Sequence, residues 1–447
     1  MSFVTNLTFG AIGAAIIVAM VLGENITRRE EPKDKVVVTY WEKWSGFEAD
    51  AMRVVVDKFN KSQDKIFVNF LSVSGIKQKT LLATAGGIPP DISGLDGSSV
   101  SQMAVANAMI TMDDLLKENG ISRDQYVPVY WDMCEFEGNM YGLPSTPATT
   151  ALHYNIDQFK DAGLDPNKPP QTIEELDAMS DKLTIKEGGK IKRAGFLPAE
   201  PGWWKERFGS VFGAEYWDEK EGKITANSKE NIEAYEWVRK YSEKYGAQAS
   251  SEFQSGFGKF ATPQNPFLDG KVSTVLQGVW MYNFISKYKS DLKWAAAPFP
   301  HPANRPDLAN MTYADTDLLI IPRGAKHPKE AFEFIKFLQQ RENMELLCLG
   351  QQKQTPLASV SDEFWQKSKN PYLKLFYDLG KSKNAVLPPK IAIWGEYSAE
   401  LGVAFTKIAQ NPKEKDVVKN ALDYVTERMQ PKLDRELKIR KARAEKK

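Results

Sequence analysis

Phe267-Leu268-Asp269-Gly270-Lys271-Val272-Ser273-Thr274-Val275-Leu276-Gln277-Gly278-Val279-Trp280 reads as a turn, a short strand, a glycine and then an aromatic side chain. Asp269-Gly270 supplies the turn, because glycine takes the left-handed conformation that other residues avoid. Val272 to Leu276 is rich in β-branched residues, too short for a helix and bounded by turn chemistry, which predicts a buried strand. Gly278 then allows a tight change of direction. In an open α/β sheet, ligands bind beyond the carboxyl ends of strands, where such a turn delivers its next side chain. Here that side chain is Trp280. The same indole would equally serve as core filling, and spacing alone leaves both roles open.

Working outward, the chain of 447 residues carries a formal charge of +1, which gives room for two ordinary domains and no basic excess to hold nucleic acid. The chain has 11 tryptophans, and a tryptophan is costly to place unless its ring and its N–H both find partners. An aromatic-lined binding surface would use several of them. The 3 histidines are isolated from one another and from Cys134 and Cys348, whose spacing is not that of metal ligands, so neither a metal site nor a cofactor is expected. The two cysteines read either as a disulfide or, in preference, as two unpaired buried thiols.

Residues 9–23 form an uncharged apolar run, long enough for a signal-peptide core and slightly short for a spanning helix. No Lys or Arg precedes it, whereas Arg28 and Arg29 follow it, opposite to the usual bias. Export is expected, with the run either cleaved or retained as a tether. After the charged linker Glu30–Lys35, Val36 to Trp41 predicts a strand, and Ile66 to Leu71 another. Between them, Met52, Val55, Val56 and Phe59 fall at i, i+3, i+4 and i+7, the spacing of one helix face. A strand-helix-strand unit of this kind is right-handed and parallel. Its first turn, Glu42-Lys43-Trp44-Ser45-Gly46, lies at the carboxyl end of a strand, which makes Trp44 and Ser45 candidate ligand contacts. Packing beneath the helix is the alternative for Trp44.

A third strand is predicted at Asp91 to Leu95, followed by Asp96-Gly97-Ser98-Ser99. Asp96 is the candidate there, with Ser98 or Ser99 alternatively capping the next helix. In Gly202-Trp203-Trp204-Lys205, neighbouring side chains on a helix would point about 100° apart, so Trp203 and Trp204 do not both enter one core. At least one is expected to face a cleft.

The pattern Phe-x-x-Gly-Lys, strand, Gly-x-Trp at residues 267–280 resembles the extracellular solute-binding proteins of ABC importers, the family that includes maltose-binding protein and other carbohydrate binders. The resemblance extends over residues 36–430, through Gly87-Ile88-Pro89-Pro90-Asp91 before the third strand and Gly138 to Asn155 and Trp294 to Pro300 as crossings between lobes. It implies an α/β, two-lobed periplasmic-binding-protein fold (type II), each lobe a sheet flanked by helices and joined by a hinge. Residues 1–35 would be a signal or membrane anchor with its linker, 36–148 and 299–348 the first lobe, and 149–298 and 349–447 the second. It also implies ligand contacts by Thr149, beside Pro147 at the hinge, by Tyr313 and Asp315 before the strand Leu318–Ile321, by Trp394 as a platform and by Glu396 as a hydroxyl partner. The family usually has glycines where Tyr313 to Asp317 stand. Many relatives are lipoproteins with a cysteine after the apolar run, and this chain has none there.

Sugars present C–H faces and a rim of hydroxyls, so a site for them needs flat rings and convergent carboxylates, amides and hydroxyls. The tryptophans named above, with Asp96 and Glu396, have that composition. The resemblance implies extracytoplasmic binding of a sugar or oligosaccharide in an interlobe cleft by a monomer, and its delivery to ABC transporter permease subunits. No catalysis is expected. The competing readings are a secreted glycosidase, which would use the same rings and carboxylates, and a binder of a non-sugar solute. The chain contains no Gly-x-Ser-x-Gly, His-Glu-x-x-His or phosphate-loop motif.

Overall fold

The structure, a computed structural model, describes residues 32–445, so the apolar run at 9–23 lies outside the described residues. Among those described, no helix is long and apolar enough to cross a membrane. Strand β1 (Val36–Glu42), helix α1 (Gly46–Ser62) and strand β2 (Ile66–Ser72) form the expected parallel unit, with Val38 paired to Val68. Met52, Val55, Val56 and Phe59 are all buried on the inner face of α1, as their spacing requires. Strand β3 (Ile92–Asp96) lies on the other side of β1.

The rest of the sheet is organised by β4 (Gly142–Asn155), a strand of 14 residues. The strands that follow it in sequence include β5 (Lys190–Phe196), β6 (Val272–Gly278) and β7 (Trp294–Ala297). The next, β8 (Thr312–Ile320), runs antiparallel to the first half of β4 and also to β3. The second half of β4 pairs instead with β6 and β7, and β6 pairs in parallel with β5. Opposite Pro144 and Pro147, which have no N–H for the ladder, the register of β8 shifts between Thr316 and Leu318. Such a bulge re-aims side chains, and here the hydroxyl of Thr146 donates to Asp317 across it at 3.3 Å.

The two largest hydrophobic cores among the described residues divide along β4 between Ala151 and Leu152. The first gathers β1 to β3 with Leu318 to Ile321, Phe334 and Leu338; the second gathers Phe196, Trp237, Leu276, Trp394, Phe405 and Val418 to Leu433. Two expected boundaries move. Phe299, Met311 and Tyr313 pack in the second core and Leu318 in the first, so β8, and not Trp294–Pro300, makes the second crossing. Leu357, Phe364, Phe376 and Leu379 belong to the first core, so the chain returns to the second only near Ile391, not at residue 349. Thr149 fixes this placement by donating to the carbonyl of Phe376 at 2.8 Å. The last helix, α2 (Val417–Ala444), packs in the second core, yet its end reaches the first half, where the Arg440 guanidinium lies 4.9 Å from the Phe136 ring and 2.5 Å from Glu137.

Candidate functional site

Where the strands cross between the cores, a cavity of about 410 Å³ opens. One wall is aromatic: Trp204, Tyr313 and Trp280. Trp204 stacks on Tyr313 at 5.4 Å and 22°, and lies 6.3 Å from Trp280. The polar ends of Trp204 and Tyr313 are held, as buried indoles and phenols require: Trp204 Nε1 donates to the Leu276 carbonyl at 3.1 Å, and the Tyr313 hydroxyl donates to the Arg207 carbonyl. The Arg207 guanidinium adds a cation–π contact, 4.5 Å from the Tyr313 ring.

Trp280 is placed by Gly278, though not in the way a turn would place it. Gly278 ends β6 without a left-handed φ, whereas Gly270 in the preceding turn has φ 72. The indole of Trp280 folds back over Gly278 so closely that a Cβ there would lie 2.3 Å from the ring. Trp280 Nε1 is buried and has no hydrogen-bond partner among the described residues.

The opposite wall is ionic. Asp317 accepts from Trp44 Nε1 at 3.2 Å and pairs with the ammonium groups of Lys43 and, at 3.7 Å, Lys353. Lys353 also pairs with Glu48 at 2.6 Å. Burial works against the charge on Lys43, but Asp317, Asp96 and Glu42 outweigh it and hold the ammonium pKa above its ordinary value. The same balance, struck with Glu48 and Asp317, raises Lys353. Asp315 is pushed up to about 7, first by burial and then by the charge of Asp96. Its Oδ1 accepts from the backbone N–H of Thr316 at 2.8 Å and of Gly97 at 3.3 Å.

This shift sets a pH dependence of stability. Between about pH 4 and about pH 7 the Asp315 carboxyl is protonated when folded and ionised when unfolded. The folded state then binds more protons, so stability falls as pH rises through that window. Relative to Asp315→Asn, the wild-type chain is expected to lose roughly 2–4 kcal/mol between its ends. His153, taken down to about 4 by burial, acts in the opposite direction in both proteins and cancels in the difference. Denaturant titrations at a series of pH values measure that difference, and parallel profiles would refute the assignment.

Of the sequence-predicted residues, Trp44, Ser45, Trp204, Trp280, Tyr313 and Asp315 line this cavity. Asp96 stands behind it: the hydroxyls of Ser98 and Ser99 donate to its carboxylate. Burial raises the Asp96 pKa, but Lys43 and Ser98 outweigh burial and hold it low. Thr149 is fully buried and spent on Phe376, while its neighbours Ala148 and Thr150 line the cavity. Trp203 is 40% exposed and lines a separate groove. The structure brings neither Trp394 nor Glu396 to the cavity. Trp394 begins a helix (Trp394–Gln410) and points into the second core, 5.4 Å from Tyr216; Glu396 sits on the outer face of that helix, paired with Lys432. Sequence reasoning missed Lys43, Glu48, Thr146, Asp317 and Lys353 as lining residues. Lys43 and Glu48 flank Trp44 closely enough to have been found, but nothing local marks Lys353.

Residues 46–345 match the family model of the bacterial extracellular solute-binding protein. Among solved structures, CpMnBP1 with mannotriose bound is similar with a TM-score of 0.78 at 27% identity, over 88% of this chain and 99% of that one. The sugar-binding protein MalE from Xanthomonas citri shares the fold, with a TM-score of 0.72 at 18% identity over 91% of this chain and 99% of its own. The arabinooligosaccharide-binding protein of Bacillus subtilis (strain 168) is 23% identical over 298 residues, which are 65% of this chain and 62% of that protein. The chain thus spans less than two thirds of that relative's length. The family match runs through both cores and along the strand that joins them, and the chain belongs to the bacterial extracellular solute-binding proteins.

Proposed function

We propose that the protein binds a neutral sugar or oligosaccharide in the cavity between its two lobes, outside the cytoplasm, and delivers it to the permease subunits of an ABC transporter. The observation that carries this reading is the pairing of walls: stacked Trp204 and Tyr313 with Trp280 on one side, and Asp317 with its two lysines on the other. Rings take up C–H faces, and ion-paired groups keep lone pairs and N–H groups for hydroxyls. Lys43 and Lys353 are each already paired with carboxylates, which disfavours an anionic solute. A glycosidase would use Asp315, whose carboxyl is pushed up to about 7 in the same cavity, and the fate of the sugar separates the two readings. The mannotriose bound by CpMnBP1 adds support. The protein would work as a monomer, either free or tethered through residues 9–23.

In this reading β4 and β8 are the hinge, and a ligand touching both walls favours the closed form. A thermal-shift screen of the full chain over mono- and oligosaccharides tests the binding. A ligand held at a hundred times its Kd is expected to add about 2.7 kcal/mol of stability, with a smaller radius of gyration in solution scattering and the sugar recovered intact. Absence of any shift across the sugars would overturn the reading, and hydrolysis of the sugar would replace it with the enzyme.

A further inference from the structure

We infer that the outer face of the second lobe, beyond Trp203, carries a second sugar-binding groove, joined to the cleft by the ring contacts of Trp203, which takes the outer residues of an oligosaccharide whose end is held in the cavity. The inference rests on the sugar-binding reading of the cleft and extends it to chain length. A groove of about 710 Å³ lies along the helix Trp394–Gln410 and is lined by Trp203, Lys205, Glu206, Thr406, Lys407 and Gln410. Trp203 is the one tryptophan among the described residues that is exposed to the extent of 40%. Its ring lies 5.8 Å from Trp280 and 6.3 Å from Trp204, both of which line the cavity. The adjacent pair Trp203 and Trp204 therefore serves two sides of one aromatic wall, which starts in the cleft and turns outward into the groove.

Trp203 is braced from beneath by Phe260 at 4.4 Å, so its ring is fixed as a platform. Beside it the groove offers two hydroxyls, two amides, two ammonium groups and a carboxyl, the set that hydroxyls need. Burial pushes the Glu206 carboxyl up to about 7, so near neutral pH it both donates and accepts. A flat protein partner would be met by a broader apolar face with a polar rim; here the apolar groups, Trp203, Ala399 and the exposed Val403, are interleaved with polar ones. The cavity alone lies in the lower half of the range of roughly 300–1,000 Å³ usual for ligand pockets. A longer chain must leave it, and the tryptophan wall marks the exit.

Calorimetry on the full chain with mannotriose and mannohexaose tests this. The wild-type chain is expected to bind the longer sugar more tightly. Trp203→Ala should weaken mannohexaose about fivefold or more and mannotriose less than about twofold. Because Trp203 also touches Trp280, Gln410→Ala, at the far end of the groove, supplies an independent arm: it should weaken mannohexaose and leave mannotriose unchanged. Equal losses for both sugars in Trp203→Ala, with none in Gln410→Ala, would mean that Trp203 only buttresses the cleft, and the inference falls while the sugar reading stands. Unchanged binding of both sugars in both variants overturns it in the same way, even if transport were impaired. Failure of the wild-type chain to bind either sugar removes the cleft reading for this sugar class, and the extension with it.

Discussion

Asp317→Ala is expected to destabilise the folded chain by about 3–5 kcal/mol, the range for removing one partner of a buried ion pair. The Asp317 side chain is 13% exposed and that of Lys353 is 5% exposed, so water screens them little. Truncation removes an acceptor from the Trp44 N–H, from the Thr146 hydroxyl and from two ammonium groups at once. Lys353 retains Glu48, whereas Lys43 keeps no other carboxylate within ion-pairing distance among the described residues. The second replacement Lys43→Met should therefore recover part of the loss, because the charge left unpaired is gone. Urea unfolding of the single and double variants measures both terms, and the coupling between neighbours of this kind is commonly about 0.5–3 kcal/mol. A loss below about 1 kcal/mol in Asp317→Ala would put these pairs in the class of exposed salt bridges.

That hub also shows where sequence reading stops. The unit from Val36 to Ser72 was legible because its periods are local: a run of β-branched residues, a helix face, another run. The Phe267–Trp280 stretch was legible for the same reason, and its strand and turn stand where expected. The contact between Trp44 and Asp317 spans 273 positions, and no local pattern announces it. Lys353 is drawn into the cavity by Glu48 and Asp317, both far off in sequence, and by the Trp44 ring 5.6 Å away. Trp394 failed in the opposite way: a platform in the cleft was expected, but a helix begins at that residue and turns it into the core beside Tyr216 and Tyr397. Element boundaries, which sequence fixes least well, decided that side chain's direction.

Trp280 decides between platform and core, and Gly278 makes the decision measurable. Trp280 packs against the edge of the first core, is only partly buried, and turns one side to the cavity. Trp280→Ala is expected to weaken sugar binding by about 1–3 kcal/mol, the scale of aromatic stacking on flat ligand rings, or roughly 5- to 150-fold in Kd. Its cost in stability should stay below the roughly 3–5 kcal/mol of a tryptophan removed from a closed core. Gly278→Ala forces a methyl into the space the indole occupies, where the separation would be 2.3 Å. The ring must swing away, at an overpacking cost of about 1–3 kcal/mol, and affinity should fall nearly as far as in Trp280→Ala although no ligand-facing atom has been removed. In the double variant the methyl meets no ring, so its affinity should equal that of Trp280→Ala alone and its stability should exceed the additive expectation. Calorimetric affinity and denaturant midpoint on the four proteins read this cycle, and additive losses of affinity would mean that Gly278 acts on the ligand by some route other than the indole.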